Sequence, residues 1–95
     1  MPNATPLDQH PADNTAEIER NAYNTAFSEL GLPWYWDVGT HRHLRATAEE
    51  RERVLIYLKT RQAHLLKAYE ADFLINAIQT TKARCYHEAM TARST

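Results

Sequence analysis

The sequence predicts an all-α fold, a small three-helix bundle behind a disordered N-terminal tail, and three observations predict it. Every proline and glycine (Pro2, Pro6, Pro11, Gly31, Pro33 and Gly39) lies in the first 39 of 95 residues. Pro and Gly cost a helix interior about 3 and about 1 kcal/mol relative to Ala, so residues 40–95, free of both and rich in Ala, Leu, Glu, Arg and Lys, read as helix. Apolar residues recur at intervals of three and four, and no strand-like alternation of useful length occurs. A chain of 95 residues builds one domain around one core, here over residues 14–92.

Residues 1–13 (MPNATPLDQHPAD) are Pro-spaced and polar, with little to bury, and read as a disordered tail. Asn14 is a good helix N-cap, and Glu17 three positions on completes a capping box, so the first helix should begin there. Ile18, Ala22, Tyr23, Ala26, Phe27 and Leu30 then share one face. Gly31 supplies a left-handed stop and Pro33 a second one, which gives a helix over about 14–31.

Leu32–Gly39 places Trp34, Tyr35 and Trp36 in consecutive positions. In an extended backbone the two indoles point one way and Tyr35 the other. Each large ring buries on the order of 150–250 Å², enough for the indoles to plug one end of a small bundle; the alternative is an exposed aromatic platform for a partner. Residues 40–46 (THRHLRA) are basic and irregular, with an extra short helix near 40–46 as the alternative.

Thr47-Ala48-Glu49-Glu50 reads as a second capping box opening a helix over 47–60. Its apolar stripe is Val54, Leu55 and Leu58, and Glu49/Arg53 and Glu52/Lys59 describe a wet face. An unbroken helix from 48 to 90 would be about 65 Å long at 1.5 Å per residue, against about 25–30 Å for a compact domain of this size. A break is therefore expected in Thr60-Arg61-Gln62-Ala63-His64, the least apolar place available. The third helix, over 64–90, carries Leu65, Leu66, Tyr69, Phe73, Leu74, Ile75, Ala77 and Ile78 and should be contacted on several sides. Asp72, Asn76 and Gln79 form a polar seam along it, either a strip facing water or a buried hydrogen-bond network. Beyond Met90 the chain should fray.

Composition bounds the function classes. No window approaches the roughly 18 uninterrupted apolar residues of a membrane span, and Met1 to Ala16 has neither the basic start nor the apolar middle of a secretory signal, so a cytoplasmic protein is expected. One cysteine, Cys85, closes no intrachain disulfide and agrees with a reducing compartment. The net charge of −1 hides a division. Residues 1–40 hold six acids against one base, and residues 41–95 hold ten bases against six acids. In a compact fold the acidic first helix can lie over the basic later ones; a face left positive can instead meet an acidic partner.

The segments Ala26–Asp37 (AFSELGLPWYWD) and His64–Ile78 (HLLKAYEADFLINAI) resemble a conserved family of small, uncharacterised all-helical bacterial proteins. The landmarks are Gly31, Trp34, Trp36, Asp37, His64, Tyr69, Asp72 and Phe73. The resemblance implies a bacterial helical domain and brings no activity, cofactor or partner with it.

Three function classes remain. The first is a non-enzymatic protein-interaction module, binding an unknown protein partner or itself through Trp34, Tyr35 and Trp36 and the positive segment His41, Arg42, His43 and Arg45. The second is nucleic-acid binding through the basic 41–53 segment, with Arg51 and Arg53 added; Glu49, Glu50 and Glu52 interleaved with the arginines and a pI of about 6.5 argue against it. The third is a metal-binding or enzymatic protein using Asp37, His41 and His43, or the Asp72/Asn76/His64 set. No motif names a cofactor or a metal, and none is expected.

Overall fold

The computed structural model describes residues 11–94, with side chains over 15–92. The described residues are all-α, with four α-helices, the expected three and the extra short one near 40–46: α1 Pro11–Glu29, α2 Val38–Thr47, α3 Glu50–Arg61 and α4 Ala71–Ser94, with a 3₁₀ turn Ala63–Lys67 between the last two. Residues 1–10 of the expected tail lie outside them.

Helix α1 begins at Pro11, earlier than the Asn14 start, because proline at a first helical position gives up only an N–H that has no intrahelical partner anyway. It ends where Gly31 was expected to end it. Gly31 has φ of 76°, its N–H reaches the Ser28 carbonyl at 3.1 Å, and the Leu32 N–H reaches the Phe27 carbonyl at 2.8 Å. These two bonds are a Schellman cap, satisfying carbonyls the helix leaves open. No atom lies within 4 Å of the position a Cβ would take there. A Gly31→Ala change therefore meets no steric wall and loses only the backbone preference, about 1–2 kcal/mol. A urea midpoint equal to that of the parent would show that the left-handed position carries no strain.

Residues 40–46 take the helical alternative, as part of the ten-residue α2. Asp37 sits in extended conformation and its carboxylate accepts from the Thr40 N–H at 2.7 Å, so the cap of α2 comes from a residue read as a loop acid. Gly39, expected to punctuate, lies in the first turn. Thr47 does not open the next helix. It closes α2, its hydroxyl donating back to the His43 carbonyl at 2.7 Å, and Glu49 takes the N-cap position of α3 without a side-chain cap bond.

The break before the last helix falls at Gln62, inside the expected window, but it is wider than one residue. The 3₁₀ turn carries Leu65 and Leu66 against the core, and α4 starts at Ala71 rather than His64. Helix α4 then runs to Ser94. Tyr23 meets Gln79, and Glu29 meets Arg84 and Cys85, so α1 and α4 run parallel. Leu74, Ile75 and Ile78 of α4 are buried, whereas Tyr69 and Phe73 stack on each other in solvent, their ring centroids 6.0 Å apart. The wide apolar coverage of this helix is thus only partly internal.

The core is aromatic. Trp36 is fully buried, with the rings of Tyr23, Phe27 and Tyr57 at centroid distances of 4.6, 5.1 and 5.3 Å. Trp34 packs edge-on against Phe27 and Tyr57 at 5.2 and 5.3 Å. The extended strand-like link between α1 and α2 is therefore threaded between α1 and α3. Asn24 holds it there: its side-chain oxygen accepts from the Trp36 N–H at 2.7 Å and its amide donates to the Trp36 carbonyl at 3.0 Å. The Arg20 guanidinium adds a second bond to that carbonyl at 3.2 Å.

Candidate functional site

Most of the charge in the chain is spent internally, and Glu19 is the hub. Its carboxylate lies 3.0 Å from His41 Nε2, 3.3 Å from Lys82 Nζ, 3.4 Å from an Arg53 terminal nitrogen and 3.5 Å from Arg45 Nε. Burial on its own would raise this carboxyl, but the hydrogen bond from His41 and the charge of Lys82 outweigh it and hold the group down at about 2. Lys82, itself buried, also pairs with Glu50 and lies over the ring of Tyr23, its nitrogen 5.0 Å from the centroid. The Tyr23 hydroxyl, pushed up by burial, accepts from Gln79 at 3.1 Å. At the far end of α1, Glu29 pairs with Arg84. The acidic first helix thus covers basic residues of the later ones, and Arg53, expected on a wet face, is turned inward.

The positive residues divide accordingly. His41 is buried against Glu19, Arg51 reaches Asn76 at 2.7 Å and Asp72 at 3.4 Å, and Arg53 is committed to Glu19 and to the Ala48 carbonyl at 2.9 Å. The side chains of Arg42 and His43 are exposed and make no ion pair or hydrogen bond among the described residues, and Arg45 is half-exposed with its Nε near an acid. Of the six-residue basic cluster of the nucleic-acid reading, Arg42, His43, Arg45 and Arg51 stay at the surface, and of these Arg51 is engaged by Asn76 and Asp72.

The aromatic corner divides in the same way. Trp34 and Trp36 are in the core and offer no face to a partner, a correction to the platform reading. Tyr35 is 67% exposed, its hydroxyl accepting from Arg20 at 2.9 Å. Alternation along the extended link explains the split.

Val38, Arg42 and Arg45 stand at i, i+4 and i+7 on α2, one stripe of that helix, and they face Ala16, Glu17 and Arg20 of α1 across an open cleft of about 710 Å³. Arg20 is 8% exposed; its terminal nitrogens bond to Glu17 at 2.5 Å, Tyr35 and Trp36, while its buried Nε has no partner among the described residues. Tyr35 and Val38, 48% exposed, supply apolar surface at the rim.

The other expected sites do not assemble. Asp37 is spent capping α2, His41 is buried on Glu19 and His43 points to solvent, and among the described residues no three His, Cys, Asp or Glu side chains converge as metal ligands. The Asp72/Asn76/Gln79 seam faces the start of α3: Asp72 and Asn76 are exposed on Arg51, and Gln79 donates to Tyr23 and to the Glu50 carbonyl. It is a rim of hydrogen bonds, not a pocket. Sequence reasoning missed Arg20, Asn24, Tyr57 and Glu19. Arg20 did leave a signal, as the single base among the first 40 residues.

Fold and surface define a small all-helical protein with a closed aromatic core and a cleft with basic sides. Part of the chain is similar to bacterial proteins of one name. Protein CbbY, plasmid, of Cupriavidus necator is 29% identical over 79 residues, which is 83% of this chain and 31% of that protein. Protein CbbY of Cereibacter sphaeroides is 38% identical over 45 residues, 47% of this chain and 20% of that protein. The chain thus spans under a third of the length of these curated relatives. No family model matches it and no solved structure matches it. Among the described residues no helix is long and apolar enough to cross a membrane.

Proposed function

We propose that the protein is a non-enzymatic contact module that engages another polypeptide through the outer face of α2 and the exposed ring beside it. The observation that carries this reading is the α1–α2 cleft, where Val38 lines one wall with Arg42 and Arg45, cations largely unused among the described residues, and exposed Tyr35 bonds to Arg20 of the facing wall. Tyr and Arg dominate binding hot spots because each combines a broad apolar body with directed hydrogen bonding. A reducing, cytoplasmic setting fits the buried free thiol of Cys85.

The test is recovery of a partner with the tagged full chain from cells that express it, run in parallel with a Tyr35→Ala/Arg42→Glu variant. Both residues are exposed, so the variant keeps its fold, which circular dichroism checks. A polypeptide recovered in stoichiometric amount with the parent and lost with the variant supports the module. Identical recovery with both moves the contact elsewhere.

A further inference from the structure

We propose that the polypeptide received by the α1–α2 cleft is acidic: a segment whose Asp or Glu carboxylates pair with Arg42 and Arg45 while a neighbouring apolar side chain packs on Tyr35 and Val38. This rests on the contact reading above and names the chemistry of its partner. The argument is one of charge complementarity. Within the cleft Arg20 and Glu17 neutralise each other at 2.5 Å, which leaves Arg42 and Arg45 in excess. Among the described residues Arg42 pairs with no acid. Arg45 is anchored at one nitrogen only, because Glu19 is shared with His41, Arg53 and Lys82, so its terminal nitrogens remain available for a second carboxylate.

Arginine favours this role because its planar fork matches a carboxylate with two parallel bonds, and Glu19 pre-orients the Arg45 fork before any partner arrives. The order along α2, apolar Val38 then Arg42 then Arg45, suits a segment that alternates apolar and acidic residues at helical spacing. A nucleic-acid backbone suits it less. Arg51 and Arg53, which a phosphate track would need, are engaged within the chain, Arg51 by Asp72 and Asn76 and Arg53 by Glu19.

The experiment measures fluorescence anisotropy of two fluorescein-labelled peptides with the full chain: a repeat of Glu-Glu-Leu-Ala and its isosteric amide, a repeat of Gln-Gln-Leu-Ala. The acidic peptide should bind about tenfold or more tightly than the amide at low salt and lose that advantage as the Debye length shortens. Arg42→Gln and Arg45→Gln should each weaken it about threefold, the usual scale for a rim charge, while Lys67→Gln on the remote 3₁₀ turn changes nothing. Equal binding of both peptides with sensitivity to Tyr35→Ala sinks the acidic occupant and leaves the contact reading standing. Binding of neither peptide sinks both. Displacement of the acidic peptide by inorganic phosphate at equal concentration, or tighter binding of a labelled DNA strand than of the peptide, replaces the acidic polypeptide with a small anion or a nucleic acid and overturns the proposal.

Discussion

Replacing Trp36 with alanine should lower the unfolding free energy by about 3–5 kcal/mol, the range for removing a buried Trp or Phe side chain. The upper part of that range is expected here for a local reason. A cavity costs least where the surroundings can collapse into it, and the backbone of Trp36 is pinned at both of its polar atoms, by Asn24 at 2.7 and 3.0 Å and by Arg20 at 3.2 Å. The rings of Tyr23, Phe27 and Tyr57 would be left facing a void they cannot close without breaking those bonds. A domain of this size has only about 5–15 kcal/mol to lose, so the variant will be near its folding limit. Trp36→Phe separates shape from hydrogen bonding. The buried indole N–H has no partner among the described residues, so its loss costs nothing, and the smaller ring should cost only about 1–2 kcal/mol. Urea unfolding followed by circular dichroism reads both. Equal destabilisation by Phe and Ala would mean that the indole N–H holds a bond the packing does not reveal.

The same corner shows how far the sequence was readable. Period-two alternation in Trp34-Tyr35-Trp36 separated the two indoles from the tyrosine, and the packing realises that separation. Which side faced the core could not be read locally, since it depends on Asn24, a polar residue inside a helix whose amide clasps the Trp36 backbone from twelve positions away. The end of α1 was legible because Gly31 changes the allowed backbone, and the existence of a break near Gln62 followed from length alone. The start of α3 was misread because Thr47 satisfies a capping-box pattern yet spends its hydroxyl on the His43 carbonyl. Spacing describes one helix at a time, and the choice between two uses of a threonine is decided by the helix before it. The candidate site follows this logic: the basic segment was visible, but the division of its cations into buried and free was set by Glu19, which lies on another element.

Glu19→Gln should cost about 2–3 kcal/mol at neutral pH and remove most of the acid sensitivity of the fold. Glu19 is the shared acceptor beneath His41, Arg45, Arg53 and Lys82, with 15% of its side chain exposed, so a neutral amide leaves the closely packed Arg45, Arg53 and Lys82 without their counter-charge. The sign of the pH effect follows from the direction of the shift. The folded carboxyl is held at about 2, below its ordinary 4.5, so the folded state binds this proton less readily than the unfolded chain does. The stabilisation is therefore complete above about pH 4.5 and is lost as pH falls towards about 2, an amount on the order of 3 kcal/mol. The parent should lose stability steeply across that window and Glu19→Gln should stay nearly flat, the two curves converging at the acid end. Lys82→Met makes the comparison sharper, because it removes one of several cations and leaves Glu19 with His41, Arg53 and Arg45. Its cost at neutral pH should be the smaller of the two. If Lys82→Met proves the more damaging, or if parent and Glu19→Gln fall in parallel between pH 4.5 and 2, then the cluster is held by packing of the long side chains around Tyr23 and not by the charge at its centre.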